Sequence, residues 1–291
     1  MIRIGPAGWS YVDWKGLVYP QPPGPGFDAL SYLADFFDTI EINSTFYRPA
    51  LPNVARSWTR RVSHNPDFKF TVKLHRTFTH DRELAGANDH GTVRSCLDPL
   101  VDTSRLGALL LQFPWSFKNC AANRDYLAAV LEKFRDYPQA VELRHASWNR
   151  PAVYQSLARR SIALCNIDQP VLADSIGPSA ITTSPVGYIR LHGRNYENWF
   201  KQGVGVAERY DYLYSPEELR EWIVNIREVS KSARDTYVIA NNHFRGQAIV
   251  NALEIKAELS GEKVHGPLSL LAEYPRLSDT LFSGEHVLPD S

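Results

Sequence analysis

The sequence predicts an α/β protein, a single (β/α)8 barrel of the TIM-barrel type. Short apolar segments rich in β-branched residues recur eight times, and amphipathic helical patterns lie between most of them. The length of 291 residues is normal for such a barrel. No GxGxxG segment follows the first strand and no P-loop motif occurs, so a doubly wound nucleotide-binding sheet is disfavoured.

The predicted strands are runs of five to seven residues. They span residues 2–8, 39–45, 68–73, 107–113, 140–144, 162–168, 187–193 and 236–242. Their spacing leaves room for a helix after most strands, which is typical of parallel β-α-β units.

The predicted helices include residues 27–37, 53–62, 123–134, 215–231 and 247–259. Asn123 is a candidate N-cap for the helix after the fourth strand, and Ser215 for a helix with Pro216 and two acids in its first turn. We expect one domain over residues 1–291, in which residues 260–291 form a C-terminal extension to the barrel.

Composition and charge restrict the possible functions. The 32 basic residues equal the 32 acidic residues, which argues against a protein that binds mainly to nucleic-acid phosphates or to an anionic membrane. No window of about 18 apolar residues predicts a membrane span, and the N-terminal segment resembles a first strand rather than a signal peptide. Three dispersed cysteines form neither a disulfide framework nor a zinc motif. We therefore expect a cytoplasmic protein.

The segment AVELR at residues 140–144 carries an acid and a base, Glu142 and Arg144, on one face of an apolar strand. The same alternation puts polar residues on one face near the end of most strands. This polar face includes Glu41, Asn43 and Thr45; Thr71 and Lys73; Gln112; Glu142 and Arg144; Asn166 and Asp168; Arg190 and His192; and Asn241. In a barrel this face points inward, so the polar ends meet at the C-terminal mouth, where barrel enzymes have their active sites.

A purely structural interpretation is also open. Glu142 with Arg144, or Glu41 with Lys73, could be buried ion pairs that only satisfy each other, since an unpaired buried charge costs several kcal/mol. The repetition of polar residues at seven strand ends favours a functional site, because a structural barrel interior is dominated by Val, Ile and Leu.

Several motifs resemble those of the domain-of-unknown-function 72 family, whose members are TIM barrels of unassigned activity. The matching segments are AGWSYVDWKG, IEINSTFYRP, FKFTVKLHRTFTH, LGALLLQFPWSF, VELRHASW, YIRLHGR and YVIANNHFRGQAIVNA. The resemblance implies the barrel fold and a site, but no reaction. The motif residues that it marks are Glu41, Asn43, Tyr47, Lys73, Gln112, Glu142, Arg144, His145, Trp148, Arg190, His192, Arg194, Asn241 and Asn242.

The predicted chemistry is acid–base catalysis on a small anionic or hydroxylated substrate, by hydrolysis, lysis or isomerisation. Glu142, held by Arg144, is the candidate general base, and His192 or Glu41 the proton donor. Asp168 is expected as a third carboxylate in the same cavity. The remaining candidates would bind substrate, namely Asn43, Tyr47, Lys73, Gln112, Arg144, His145, Trp148, Arg190, Arg194, Asn241 and Asn242.

Other functions remain open at this point. A glycosidase needs two carboxylates, and the many aromatic residues near the strand ends suit sugar stacking, but the fourth and seventh strands end in Gln112 and His192. A divalent metal on Glu41, Glu142, Asp168 and His192 is possible but disfavoured by the neighbouring cations. No organic cofactor is indicated. A non-catalytic module that binds nucleic acid or another ligand is the main alternative, and His80 is interpreted as a surface residue.

Overall fold

The computed structural model describes residues 1–283 except 87, 173, 200, 202 and 204. All eight predicted strands are present and parallel. They are β1 (Ile2–Pro6), β2 (Thr39–Ile42), β3 (Lys69–Lys73), β4 (Leu106–Gln112), β5 (Gln139–Glu142), β6 (Ala163–Asp168), β7 (Val186–Leu191) and β8 (Asp235–Ala240). The strands end up to three residues earlier than predicted, so Asn43, Arg144 and His192 lie just beyond them.

The first and second strands approach each other and close the barrel. The sheet runs in the order β1-β8-β7-β6-β5-β4-β3-β2, and Gly8 donates its backbone N–H to the Glu41 carbonyl oxygen at 2.8 Å across the seam. A Cβ atom on Gly5 would lie 1.8 Å from the Thr39 carbonyl oxygen. Closure therefore requires glycine at residue 5. The fold is a (β/α)8 TIM barrel, as predicted.

The helices pack around the outside of the barrel. They are α1 (Ala29–Ala34), α2 (Pro52–Arg61), α3 (Asp89–Asp102), α4 (Ala121–Lys133), α5 (Pro151–Arg159), α6 (Val206–Arg209), α7 (Pro216–Ser232) and α8 (Gln247–Ser260). The sequence did not predict α3, α5 or α6. Gly91 and Pro99 lower the intrinsic helix propensity of α3, and α5 and α6 are short.

The two predicted helix caps have different outcomes. Ser215 caps α7 in a capping box, in which its side chain accepts the Glu218 N–H and the Glu218 side chain accepts the Ser215 N–H. The Asn123 cap is wrong: α4 begins at Ala121, and Asn123 lies inside it, where Nδ2 donates to the Lys118 carbonyl oxygen at 2.7 Å.

Side-chain alternation is confirmed for β4, β5, β7 and β8 but not for β6. The barrel interior contains Cys165 and Ile167, whereas Leu164 belongs to the outer core between strands and helices. The polar residues of β6 therefore face outward. The segment that follows β6, residues 169–185, contains no helix in its described part. Asn166 Oδ1 accepts the Ile181 N–H from this segment at 2.8 Å. That irregular segment provides polar partners outside the barrel.

The described part of the C-terminal extension packs on the barrel. Val264 forms a bridge with Leu281, and Leu270 and Leu277 are buried in the outer core. Residues 284–291 of the predicted extension lie outside the described residues. Across the described chain, none of the helices combines the length and apolar character needed to cross a membrane.

Candidate functional site

Arg190 joins two carboxylates inside the barrel mouth. Its Nη2 lies 2.6 Å from Glu41 Oε1 and its Nη1 lies 2.5 Å from Glu142 Oε2. The three side chains come from β7, β2 and the end of β5, and each is at most 2% exposed. Tyr188 donates its hydroxyl to Glu41 Oε2 at 2.8 Å. The alternation of the sequence thus brought these residues together as predicted.

A second layer of contacts extends from Glu142 towards the mouth. Arg144 Nε donates to Glu142 Oε1 at 2.7 Å, and His192 Nε2 lies 3.3 Å from both Glu142 Oε1 and Arg144 Nη2. His192 Nδ1 lies 2.9 Å from Asn241 Nδ2. Asn43 Nδ2 donates to Asn241 Oδ1 over 3.4 Å, so the network reaches from β5 round to β2.

These contacts set the protonation states at the base of the site. Burial raises the pKa of Glu142, but Arg190 and Arg144 outweigh it and hold that pKa well below its usual range. Burial lowers the pKa of His192 to about 3, although Glu142 opposes the shift. Near pH 7, Glu142 is ionised and His192 is neutral, so neither has the pKa near 7 that suits proton transfer.

A cavity of about 460 Å³ opens above this network. Among the described residues, its walls contain basic and aromatic side chains but no carboxylate. The lining residues are Phe46, Tyr47, Lys73, Arg76, His80, Gln112, Pro114, Trp115, Arg144, Gln169, Trp199, Arg209 and Tyr210. Of the sequence-predicted residues, Tyr47, Lys73, Gln112 and Arg144 lie in this wall. The cavity therefore suits an anion.

Lys73 ends β3 and presents its ammonium to the cavity. Its Nζ lies 4.0 Å from the centroid of the Phe46 ring, and it forms no ion pair with any described carboxylate. Burial lowers the pKa of Lys73 to about 7, with Arg190 adding to the shift and Glu142 opposing it. About half of this amine is neutral at pH 7, against roughly 0.04% for an ordinary lysine.

His80 lies in the same wall, so its interpretation as a surface residue is wrong. Its Nδ1 lies 2.9 Å from Thr79 Oγ1, and its ring contacts the Phe46 ring edge-on at 4.8 Å. Burial, followed by the charges of Lys73 and Arg144, lowers the pKa of His80 to about 4. His80 is in a loop beyond the strand, where side-chain alternation gives no prediction.

Asp168 lies away from the cavity, contrary to expectation. Its Oδ2 accepts the Trp222 Nε1–H at 3.0 Å from α7, on the outer face of the barrel. Arg194 Nε lies 3.0 Å from the same carboxylate oxygen, and Arg194 Nη1 donates to Glu218 Oε1 at 3.1 Å. Two carboxylates, Glu41 and Glu142, therefore lie beneath the cavity instead of the three predicted, because β6 turns its polar face to α7.

Three further candidates have structural contacts outside the cavity wall. Trp148 is 2% exposed, stacks on Phe117 and donates Nε1–H to the Phe117 carbonyl oxygen at 2.6 Å. His145 Nδ1 accepts the Ser147 N–H at 3.1 Å and caps a short turn. Asn242 Nδ2 donates to Asn251 Oδ1 at 2.8 Å. Their motif positions are explained by packing of the loops around the mouth.

The two buried carboxylates have a guanidinium between them where a divalent ion would need to bind. Arg190 contacts both Glu41 and Glu142. No group of three or more His, Cys, Asp and Glu side chains in the described residues is arranged to hold a metal ion.

Comparisons with known proteins agree with this architecture. The family model "Protein of unknown function DUF72" matches residues 3–273. The UPF0759 protein YunF of Bacillus subtilis is 28% identical over 273 residues, covering 88% of this chain and 93% of YunF. A DUF72 family crystal structure from Thermotoga maritima is 37% identical with a TM-score of 0.79, covering 89% of this chain and 99% of that one. A second DUF72 family crystal structure, from Enterococcus faecalis, is 24% identical with a TM-score of 0.78. The match covers 89% of this chain and 96% of that one, and it shows the same fold. The chain with this basic barrel mouth belongs to the DUF72 family of proteins of unknown function.

Proposed function

We propose that the protein is an enzyme that binds a small anionic substrate in the cavity at the barrel mouth and transfers a proton with Lys73. One observation carries the proposal. The cavity wall holds several cations without a described carboxylate, and one of those cations is an amine without an ion-pair partner. The cavity volume of about 460 Å³ is in the range of small-molecule sites.

Arg144 is the best candidate to bind the anionic group of the substrate. Glu142 fixes its Nε, while its guanidinium carbon lies 5.6 Å from the Trp199 ring centroid and its side chain remains 14% exposed. Arg190 is different, because both of its terminal nitrogens contact buried carboxylates. We assign Arg190 to positioning Glu41 and Glu142, and Arg144 to binding substrate.

The roles within the acid–base chemistry change from those expected from sequence. Glu142 is a weak base, because Arg190 and Arg144 hold its pKa well below the usual range. The pKa of Lys73 of about 7 is suited to abstracting a proton from bound substrate or water at neutral pH. Lysis, isomerisation and hydrolysis can each begin with that step. Glu142, His192 and Asn241 would hold Arg144 in position.

A non-catalytic binding module is the second candidate function. Tyr47 is 64% exposed and lines the same cavity as Arg76, and an exposed ring with a guanidinium in one cavity suits a stacked nucleic-acid base with its phosphate. The same cavity would then retain a ligand without converting it.

The proposed function can be tested with a thermal-shift screen of anionic metabolites, followed by turnover assays on the stabilising compounds. Anions should stabilise the wild type by roughly 2.7 kcal/mol at a concentration of 100 Kd. Arg144→Gln should lose this stabilisation, whereas Arg135→Gln, at an exposed residue two positions beyond the end of α4, should keep it. Lys73→Met should bind the same compounds but lose turnover.

Two results would oppose the proposal in different ways. Full turnover by Lys73→Met would exclude Lys73 as the base. Salt-dependent retention of single-stranded oligonucleotides that requires Arg144 and Tyr47, without conversion of any metabolite, would favour the binding module.

We also propose a cytoplasmic location and a reaction without an organic cofactor or a divalent metal. Cys96, Cys120 and Cys165 are all free thiols, which fits a reducing compartment. Proton transfer by a lysine needs no cofactor, and Arg190 neutralises the carboxylates that would otherwise bind a metal ion.

A further inference from the structure

We propose that Lys73 is a nucleophile that forms an imine with an anionic carbonyl compound, such as a 2-oxo acid or an aldehyde that carries a carboxylate or phosphate. The inference rests on the proposed anion-binding function and specifies its substrate class. It goes further by assigning Lys73 a covalent bond to the substrate.

The position of Lys73 provides the first argument. It is the last residue of β3, so its backbone is fixed by the barrel rather than by a loop. Phe46 lies under the ammonium at 4.0 Å and the side chain opens into the cavity. A nucleophile needs this combination of a rigid base and an open end.

The surrounding charges provide the second argument. Arg144 and Arg76 share the cavity wall with Lys73, and the nearby carboxylates Glu41 and Glu142 are held by Arg190. Positive neighbours attract an anionic substrate and also disfavour the ammonium form of Lys73. Burial, Arg190 and Arg144 lower the pKa of Lys73, Glu142 and Glu41 oppose them, and the resulting value of about 7 leaves a nucleophilic amine at neutral pH.

The step balances without an oxidant or reductant. The lone pair of Lys73 Nζ attacks the carbonyl carbon, a C–N bond forms, and the carbonyl π electrons move to oxygen. One amine proton passes to that oxygen, giving a carbinolamine; the second amine proton leaves with the hydroxyl group as water, giving the imine. His80 is neutral near pH 7 and lies in the same wall, where its ring can hydrogen-bond the hydroxyl group of the carbinolamine. Protonation of the imine then lets it accept an electron pair from an adjacent bond, which is the chemistry of lysis and isomerisation.

Reductive trapping tests this inference directly. The full-length protein would be incubated with pyruvate, glyoxylate or pyridoxal 5′-phosphate and then reduced with sodium cyanoborohydride. Intact-mass measurement and peptide mapping should find a single adduct at Lys73. Lys73→Arg should abolish it while keeping the positive charge. Lys118 is the matched control, because its ammonium is exposed beside Trp115 at 5.6 Å from that ring.

The expected selectivity is large. Lys73 should react at least about tenfold faster than Lys118 at pH 7, because about half of the Lys73 amine is neutral and its side chain opens into the cavity. The trapping rate should rise through pH 7 and level off above pH 8. Arg144→Gln should slow trapping of the anionic compounds, whereas the rate with propanal, which has no charge, should change little. Circular dichroism would establish that each variant is folded.

The outcomes separate this inference from the proposed function. The imine proposal would be wrong if adducts were spread evenly over surface lysines, or if Lys73 carried none while anions still stabilised the protein through Arg144. Either result would leave the proposal of an anion-binding enzyme intact. Absence of any Arg144-dependent stabilisation by anions, together with absence of trapping, would overturn both.

Discussion

Replacement of Arg190 by methionine tests whether the two carboxylates of the barrel interior depend on one guanidinium. The methionine side chain is similar in length but uncharged, so it removes the contacts of 2.6 Å to Glu41 and 2.5 Å to Glu142 without a large change in volume. Both acids are fully buried, so water cannot replace the lost partner.

The expected loss in the free energy of unfolding is about 3–5 kcal/mol at pH 7, the cost of leaving a buried charge without its partner. Arg144 still contacts Glu142 at 2.7 Å and Tyr188 still donates to Glu41 at 2.8 Å, which keeps the loss within that range.

The pH dependence should change sign between the two proteins. In the wild type, the depressed pKa of Glu142 contributes stability that is present above the unfolded-state pKa of about 4.3 and is lost as the pH falls through the folded value. In Arg190→Met, buried carboxylates without Arg190 favour the protonated form. Acidification from pH 7 to pH 5 should therefore recover part of the lost stability in the variant and none in the wild type.

Urea denaturation followed by tryptophan fluorescence would measure both effects. With an m-value of about 3 kcal/mol per M, the midpoint should fall by roughly 1 M or more at pH 7. Arg135→Met, which removes an exposed pair with Glu132, should shift it by less than about 0.3 M. A midpoint for Arg190→Met within error of the wild type would refute the argument that these acids are buried as charges.

Three further predictions concern other parts of the fold. Ser215→Ala should lower the free energy of unfolding by about 1 kcal/mol in urea denaturation, because it removes the cap of α7. Gly5→Ala should prevent barrel closure and give little soluble protein, because its Cβ would overlap the Thr39 carbonyl oxygen at 1.8 Å. Wild-type stability should rise with pH above 7 by up to about 1.4 kcal/mol per pH unit relative to Lys73→Met, because the folded state gives up the proton at a pKa of about 7 while an unfolded lysine keeps it to about 10.4.

Each of these predictions has a clear contradicting result. An unchanged midpoint for Ser215→Ala would mean that the capping box adds nothing to stability, and a well-folded Gly5→Ala protein would mean that the seam between β1 and β2 can widen. Parallel pH profiles for wild type and Lys73→Met between pH 7 and pH 10 would show that Lys73 has an ordinary pKa.

Strand periodicity predicted much of the site because a barrel interior leaves few choices for side-chain direction. Glu41, Glu142 and Arg190 were brought together from three distant segments by alternation alone. The prediction that Asp168 lies in the cavity was wrong because alternation divides a strand into two faces but does not say which face is inside. The usual guide, an apolar outer face beneath a helix, does not apply to β6, where an irregular segment and Trp222 provide polar partners.

Other features had no signal in the sequence pattern. His80 and Tyr210 reach the cavity from loops, where there is no fixed periodicity. The pairing of Glu41 with Lys73 was a reasonable expectation from neighbouring strands, but Arg190 is longer and reaches both acids from β7. Which cation binds which acid depends on side-chain reach across the barrel, and this is set by three-dimensional distances.

The Arg190 bridge has a consequence for how the chain is made. Arg190 is 149 residues beyond Glu41 and 48 beyond Glu142, so during synthesis Glu41 emerges long before Arg190, whereas Glu142 has Arg144 two residues away. In a nascent chain with only five strands, the Glu41 carboxylate has no guanidinium partner, so we expect it to stay in water. We therefore expect the final compaction of the barrel interior to wait for the seventh strand, which supplies Arg190.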